Sequence, residues 1–214
     1  MIDRRNRGRA AASSPASFFA RRRGRHRSRG QTLVEFVLVF PLFLILLFAV
    51  IEFAFILNAL LSAGFASHEA ALAAAEAGSQ TSADCSILRA VSRSYDAPTD
   101  KNAITEIRIY KANTSGTPQG PAQVYDRTGT TTCDNPDGKT TTTFPWKATT
   151  TTYPAAIRCN ILLGCGPGST TVDTIGVQIT YNYKWHTPMA GALPNSGSGY
   201  TIVKSSAMRM EPVL

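Results

Sequence analysis

The chain has 214 residues, with 22 basic and 14 acidic side chains and a formal net charge of +8, a length that suits one membrane anchor and one modest folded domain. The charge is unevenly placed: ten arginines against the single Asp3 give residues 1–30 a charge of +9, while residues 31–214, with 12 basic and 13 acidic groups, carry −1. No nucleic-acid partner is expected, because the basic character sits wholly in a low-complexity arm whose only aromatics are Phe18 and Phe19 and which shows no nucleic-acid-binding fold.

Residues 1–30, rich in arginine, alanine and serine, predict a leader without order of its own. A basic arm abutting a hydrophobic span is the positive-inside pattern and assigns the leader to the cytoplasm. Its arginines would add about 1 kcal/mol each of attraction to anionic lipid heads. From Leu33 to Leu61 the chain is nearly all apolar, interrupted chiefly by Glu35, Pro41, Glu52 and Asn58. Crossing about 30 Å of hydrocarbon takes roughly 20 helical residues. Glu52, nineteen positions after Leu33, then falls near the far headgroup boundary, where its carboxylate is expected to reach water. Pro41 lacks an amide hydrogen and is expected to kink the helix, which membrane helices tolerate.

Glu35 is different, because it lies just inside the front of the apolar run. A charged side chain costs about 2.5–3.5 kcal/mol at the bilayer centre and less near an interface. Gly30 lies five positions earlier in Arg29-Gly30-Gln31-Thr32-Leu33-Val34-Glu35-Phe36. A peptidase cutting after this small residue, approached in extended conformation, would leave a free ammonium on Gln31, one helical turn from the carboxylate. Such a pair offsets much of the desolvation of both charges where the geometry is good. The alternative is an uncleaved signal anchor in which Glu35 snorkels to the headgroups. Ordinary secretory cleavage is disfavoured, because the apolar region is too long for a signal peptide.

The helix is predicted to continue past the membrane. Asn58 to Gly78 is dominated by alanine and contains no proline, and Gly78 with Ser79 forms a stop signal. Leu60, Leu61, Phe65, Ala66 and Leu72 are read as one stripe, with Ser67, His68, Glu69 and Glu76 facing elsewhere. Two readings stand for that stripe: packing on neighbouring helices through small residues, or packing on the chain's own soluble domain. Residues 31–78 are therefore read as a transmembrane and extended helix, and 79–214 as an extracytoplasmic domain. A short helix is predicted over Ser86–Tyr95, with Ser82 or Asp84 near its start.

Beyond Pro98 the pattern turns to strand. Ile104, Ile107, Ile109 and Tyr110 interleave with Glu106, Arg108 and Lys111. Across Thr171–Trp185, Ile175, Val177, Ile179, Tyr181 and Tyr183 share one face, and Tyr200–Met210 is a third candidate. Three strands against the helix make a small antiparallel sheet, so the fold class is α+β. A threonine-, glycine- and proline-rich insert spans roughly 113–170. Such composition favours extended or loop structure at the surface, and its length implies that part of it forms sheet edge stapled by cysteines.

Cys85, Cys133, Cys159 and Cys165 all follow the span, in a compartment that permits disulfides, and four cysteines allow three connectivities. A local Cys159–Cys165 loop is the simplest first pairing, leaving Cys85 for Cys133; the alternative is that some thiols stay free and buried. The spacing does not match a zinc site. His26, His68 and His186 lie too far apart in the chain's elements to build a nucleophile, base and orienting acid, so no enzyme is expected. Asp134-Asn135-Pro136-Asp137-Gly138 is read as a polar turn in preference to a weak calcium loop. No phosphate-binding glycine loop follows a strand. Trp146, Tyr183 and Trp185 are expected to pack the sheet.

Gly30-x-x-x-Val34-Glu35-Phe36, then Phe40-Pro41-Leu42, Ile51-Glu52-Phe53 and the closing Met208-Arg209-Met210-Glu211-Pro212, resemble the TadE-like family of minor pseudopilins of tight-adherence (Flp-type) pilus systems. The resemblance implies an inner-membrane prepilin that assists or primes pilus assembly, with no cofactor. It implies a prepilin peptidase, other pilins and pseudopilins, and inner-membrane lipid as partners. Gly30 corresponds to the residue before the cut, Gln31 to the new terminus and Glu35 to the required acid. The arginine arm is long for a Flp-type leader. The alternative from another class is an unprocessed, membrane-tethered adhesion or binding module.

Overall fold

The computed structural model describes residues 28–95, 100–160, 165, 171–187 and 199–210. The arginine arm up to residue 27, the closing Glu211 and Pro212, and residues 161–164 and 166–170 of the insert lie outside the described residues. Two compact units are present, one ending at Phe43 and one beginning at Leu44. The first helix, α1, covers Ser28–Ala77 and runs through Pro41. In the first unit its side chains from Gly30 to Phe43 are all exposed.

The second unit contains α2 (Ala83–Ser94) and the strands β1 (Ile104–Ala112), β2 (Pro118–Asp126), β3 (Thr131–Asp134), β4 (Thr141–Phe144), β5 (Lys147–Thr151), β6 (Thr174–Tyr183) and β7 (Tyr200–Arg209). Five of them form an antiparallel sheet in the order β5-β2-β1-β6-β7, and β3 pairs with β4 in a separate hairpin. The architecture is α+β, a long apolar helix followed by an antiparallel sheet domain. The three predicted strands are joined by two from the insert, β2 inside the main sheet and β5 at its edge, where part of the insert was expected. Three of the five residues of β5 are threonine, which is β-branched and suits a pleated, half-exposed surface.

Period-two alternation places Ile107 and Ile109 of β1 and Ile175, Val177, Ile179, Tyr181 and Tyr183 of β6 in one buried cluster with α2's Ile87, Leu88 and Val91. The α1 residues in that cluster include Ala59, Ala63, Ala66, Ala70 and Ala74, which at 3.6 residues per turn fall on one face, and Ala71 and Ala75 widen it at the helix end. The predicted stripe is thereby divided. Leu61 and Phe65 are exposed while Ala66 is buried, and Ser67 is buried with its Oγ donating to the Gly64 carbonyl at 2.8 Å. Small side chains let the helix approach the sheet closely, so alanines form most of the inner face, with Phe55, Ile56 and Leu60 partly buried against the same cluster.

Two glycines have a structural reason. Gly78 ends α1 at φ 56°, its N–H bonded to the Ala74 carbonyl at 3.2 Å. A Cβ there would also lie 2.3 Å from Asn160 Nδ2. At Gly176 a Cβ would lie 2.3 Å from the Tyr110 ring, so the glycine makes room for an aromatic lying across the outer face of the sheet.

Polar links hold the insert to this core. The Arg158 side chain, fully buried, pairs with Asp84 at 2.5 Å. Tyr125 Oη donates to the same carboxylate at 2.8 Å, and Gln123 Nε2 donates to Tyr125 Oη at 3.2 Å. Asp173 pairs with Lys111 at 2.6 Å and accepts from Tyr153 Oη (2.8 Å) and the Cys159 amide (3.1 Å). Burial, then the Asp173 hydrogen bond, holds the Tyr153 phenol well above the usual tyrosine range, so it stays a donor. Disulfides join Cys85 to Cys133, with Cα atoms 5.6 Å apart, and Cys159 to Cys165.

Candidate functional site

Gly30 and Gln31 lie in the first turns of α1, and Glu35 follows Gln31 by four residues, so these two share a helix face. All three are exposed, and Glu35 has no hydrogen-bond or ion-pair partner among the described residues. The bond after Gly30 is helical, whereas an extended approach was expected. Opening it is undemanding, because the first helical turn has amides without intrahelical acceptors and glycine disfavours helix by about 1 kcal/mol relative to alanine. A Cβ at Gly30 would meet nothing within 4 Å. Packing among the described residues therefore does not require a glycine here.

Glu52 is the second acid of α1, and its position corrects the expectation that it reaches water. It is 5% exposed and its carboxylate is enclosed by the chain that leaves β6. Tyr183 Oη donates to Oε1, the Thr187 amide donates to Oε2 at 2.9 Å, and the His186 amide lies 3.2 Å and 3.3 Å from Oε1 and Oε2. Burial, followed by the Glu52 hydrogen bond, raises the Tyr183 pKa well above the tyrosine range, so the phenol remains protonated and donating. His186 Nδ1 sits 3.2 Å from Tyr183 Oη, and the His186 ring lies 5.0 Å from that of Phe55. The chemistry is that of an anchor: a carboxylate satisfied by one hydroxyl and two amides pins the end of β6 to one level of the helix. A sequence signal existed, because Glu52 falls on the same face as Ala59, Ala63, Ala66 and Ala70 at a helical period, the face of small residues that the sheet covers.

Replacing Glu52 by glutamine is expected to cost the folded domain about 1–3 kcal/mol, because hydrogen bonds to a charged acceptor are replaced by weaker ones and an amide N–H is turned towards donors. Denaturant unfolding in detergent, followed by Trp emission, measures it. An unchanged midpoint would remove the anchoring role from the carboxylate.

The remaining motifs resolve without chemistry. Asp137 Oδ1 accepts from the Lys139 and Thr140 amides at 2.9 Å and 3.0 Å, and Oδ2 from Thr140 Oγ1 at 2.6 Å, which accounts for the Asp134–Gly138 segment as a self-capped turn and keeps the carboxyl below its usual pKa, mainly through Thr140. Among the described residues no group of three or more His, Cys, Asp or Glu could hold a metal ion.

Helix α1 is long and apolar enough to cross a membrane, and the protein is membrane-anchored through it. Residues 30–72 match the model of the TadE-like protein family, a stretch that carries Gly30, Gln31, Glu35 and Glu52 and ends within α1. No curated protein and no solved structure matches the chain.

Proposed function

We propose that this protein is a minor pseudopilin of a Tad (Flp-type) pilus, cut after Gly30 by a prepilin peptidase and assisting or priming pilus assembly from the inner membrane. The observation that carries the reading is the family match over 30–72, coinciding with a helix whose front combines a sterically unconstrained glycine with a lone acid five residues on. In this reading residues 1–30 face the cytoplasm as a leader, residues 31–78 form the anchor and its extension, and residues 79–214 form the domain outside. Two disulfides in the second unit support that orientation, since such bonds persist in oxidising compartments. Other pilins and pseudopilins are the partners of the helix. Phe53, Leu57, Leu61 and Phe65, all exposed at intervals of four, offer them an apolar face beyond Glu52. The role is non-enzymatic.

Intact mass of protein extracted from native membranes tests this directly. A chain beginning at Gln31 is the expected product. Gly30→Leu is expected to retain the arm when the peptidase is co-expressed, both by filling the open space at the cut and by stabilising the helix across it, while Gly30→Ala retains partial cleavage. Full cleavage of the leucine variant on a gel would refute recognition of the glycine. Glu35→Leu is expected to keep membrane insertion and to reduce piliation, scored as sheared pilus protein; wild-type piliation would take the assembly role away from Glu35. The helical conformation at Gly30–Gln31 favours one competing reading, an unprocessed tether for an adhesion or binding domain, and the mass of the mature chain separates the two.

A further inference from the structure

A cleft of about 530 Å³ opens on the face of the main sheet away from α1 and α2, a size that suits a small ligand. Alternation turns Ile175, Val177 and Ile179 towards the helices, so Thr174 and Gly176 of β6 face the other way. Register places Gly176 between Tyr110 of β1 and Ala207 of β7, and Thr174 beside Arg209. Gly176 and Ala207 are small, which lowers the sheet surface here, and the Tyr110 ring lies across Gly176. The turn after β1 forms a wall. Asn113 Oδ1 accepts from the Ser115 and Thr117 amides at 3.0 Å and 2.9 Å, and Gly116, at φ 79°, presents its carbonyl to Tyr110 Oη at 3.3 Å. A Cβ on Gly116 would lie 3.4 Å from the Ala207 Cβ, so the turn reaches across to β7.

The lining decides what kind of ligand fits. Thr114, Ser115, Thr174 and Ser205 bring hydroxyls and Arg209 a guanidinium, while no acidic side chain lines the cleft among the described residues. None of the domain's exposed large apolar side chains lines it either, so a hydrophobic ligand finds no wall to pack on. Hydroxyls both donate and accept, which matches the hydroxyls of a sugar ring. A guanidinium fork matches a carboxylate, and its five N–H donors let it serve a ligand and a protein partner together. We propose that this cleft binds a hexuronate, a carboxylate-bearing sugar, either free or linked in a glycan. Arg209 holds the carboxylate, and the hydroxyls of Thr174, Ser205 and the 114–115 turn hold the ring. The site goes beyond the pilus reading and stands whether or not the leader is cut.

The full chain in detergent micelles is titrated with glucuronate, methyl glucuronide, glucose and inorganic phosphate while backbone amide chemical shifts are followed. Glucuronate is expected to give saturable shifts at Thr114–Gly116, Thr174 and Ser205–Arg209, and glucose to bind the same amides about tenfold more weakly, the loss of a charge-assisted contact. A stronger response to methyl glucuronide assigns the chain-linked unit, and a stronger one to glucuronate the free sugar; either supports the site. Arg209 is exposed on an edge strand, so Arg209→Gln is expected to keep the fold and to bring glucuronate down to the affinity of glucose, leaving glucose unchanged. Should that variant disturb the fold, the wild-type titration decides alone. No saturable shift at these amides with either uronate would overturn the proposal. Phosphate binding there as tightly as glucuronate would overturn it too, by reducing the cleft to an anion patch.

Discussion

Asp84→Ala is expected to destabilise the sheet domain by about 3–5 kcal/mol, the cost of leaving a buried charge without its counter-ion. Arg158 is fully buried and Asp84 is its only salt-bridge partner among the described residues. Its Nη2 also reaches the Tyr153 carbonyl at 3.3 Å, while Nε and Nη1 have no hydrogen-bond partner among the described residues. Removing the carboxylate also leaves the Tyr125 hydroxyl without the acceptor it meets at 2.8 Å. The magnitude follows from desolvation and not from the worth of the pair, so the double variant Asp84→Leu with Arg158→Met is expected to recover most of the loss. Chemical denaturation of the single and double variants decides the matter. If Asp84→Ala unfolds at the wild-type midpoint, the guanidinium is solvated by something other than Asp84.

Replacing Cys85 and Cys133 together by serine is expected to cost about 4 kcal/mol, the loop-closure entropy released to the unfolded chain by opening a loop of that size; the two cysteines are 48 positions apart. The same reasoning gives about 2 kcal/mol for Cys159 with Cys165, since entropy grows with the logarithm of the loop; these are six positions apart. The first pair should therefore matter about twice as much as the second. Paired serine variants, unfolded by denaturant under non-reducing conditions, test the ratio, and an equal cost for both pairs would show that chain entropy is not the source. Asp84 and Cys85 are adjacent in the first turn of α2. The start of one short helix is thus where an ion pair and a covalent bond both secure the insert, and the two losses are expected to couple when combined.

Much of this was readable in advance because it depends on neighbours along the chain. The anchor follows from an apolar run long enough to cross hydrocarbon, and the end of α1 from alanines giving way to Gly78. The strands β1, β6 and β7 follow from alternation whose inward set, Ile175 to Tyr183, is the set the core buries. A threonine run obscured β5, and proline and glycine obscured β2. Such residues read equally as loop or strand, and only the pairing of β2 with β1 and of β5 with β2 separates the two.

The candidate site divides in the same way. Gly30, Gln31 and Glu35 are a pattern in contiguous residues, legible without a fold. Glu52 is not, because its three donors are Tyr183, His186 and Thr187, more than 130 positions away, and counting residues along the span pointed to water. By itself the sequence determined a basic arm, an apolar anchor and an α+β domain after it, since charge segregation and hydrophobic period are local properties. Only the tertiary structure decided which face of α1 is covered, that alanines form most of it, and that a carboxylate at its lower end is buried. Those outcomes depend on where the sheet's register brings distant donors, and no local pattern carries that information.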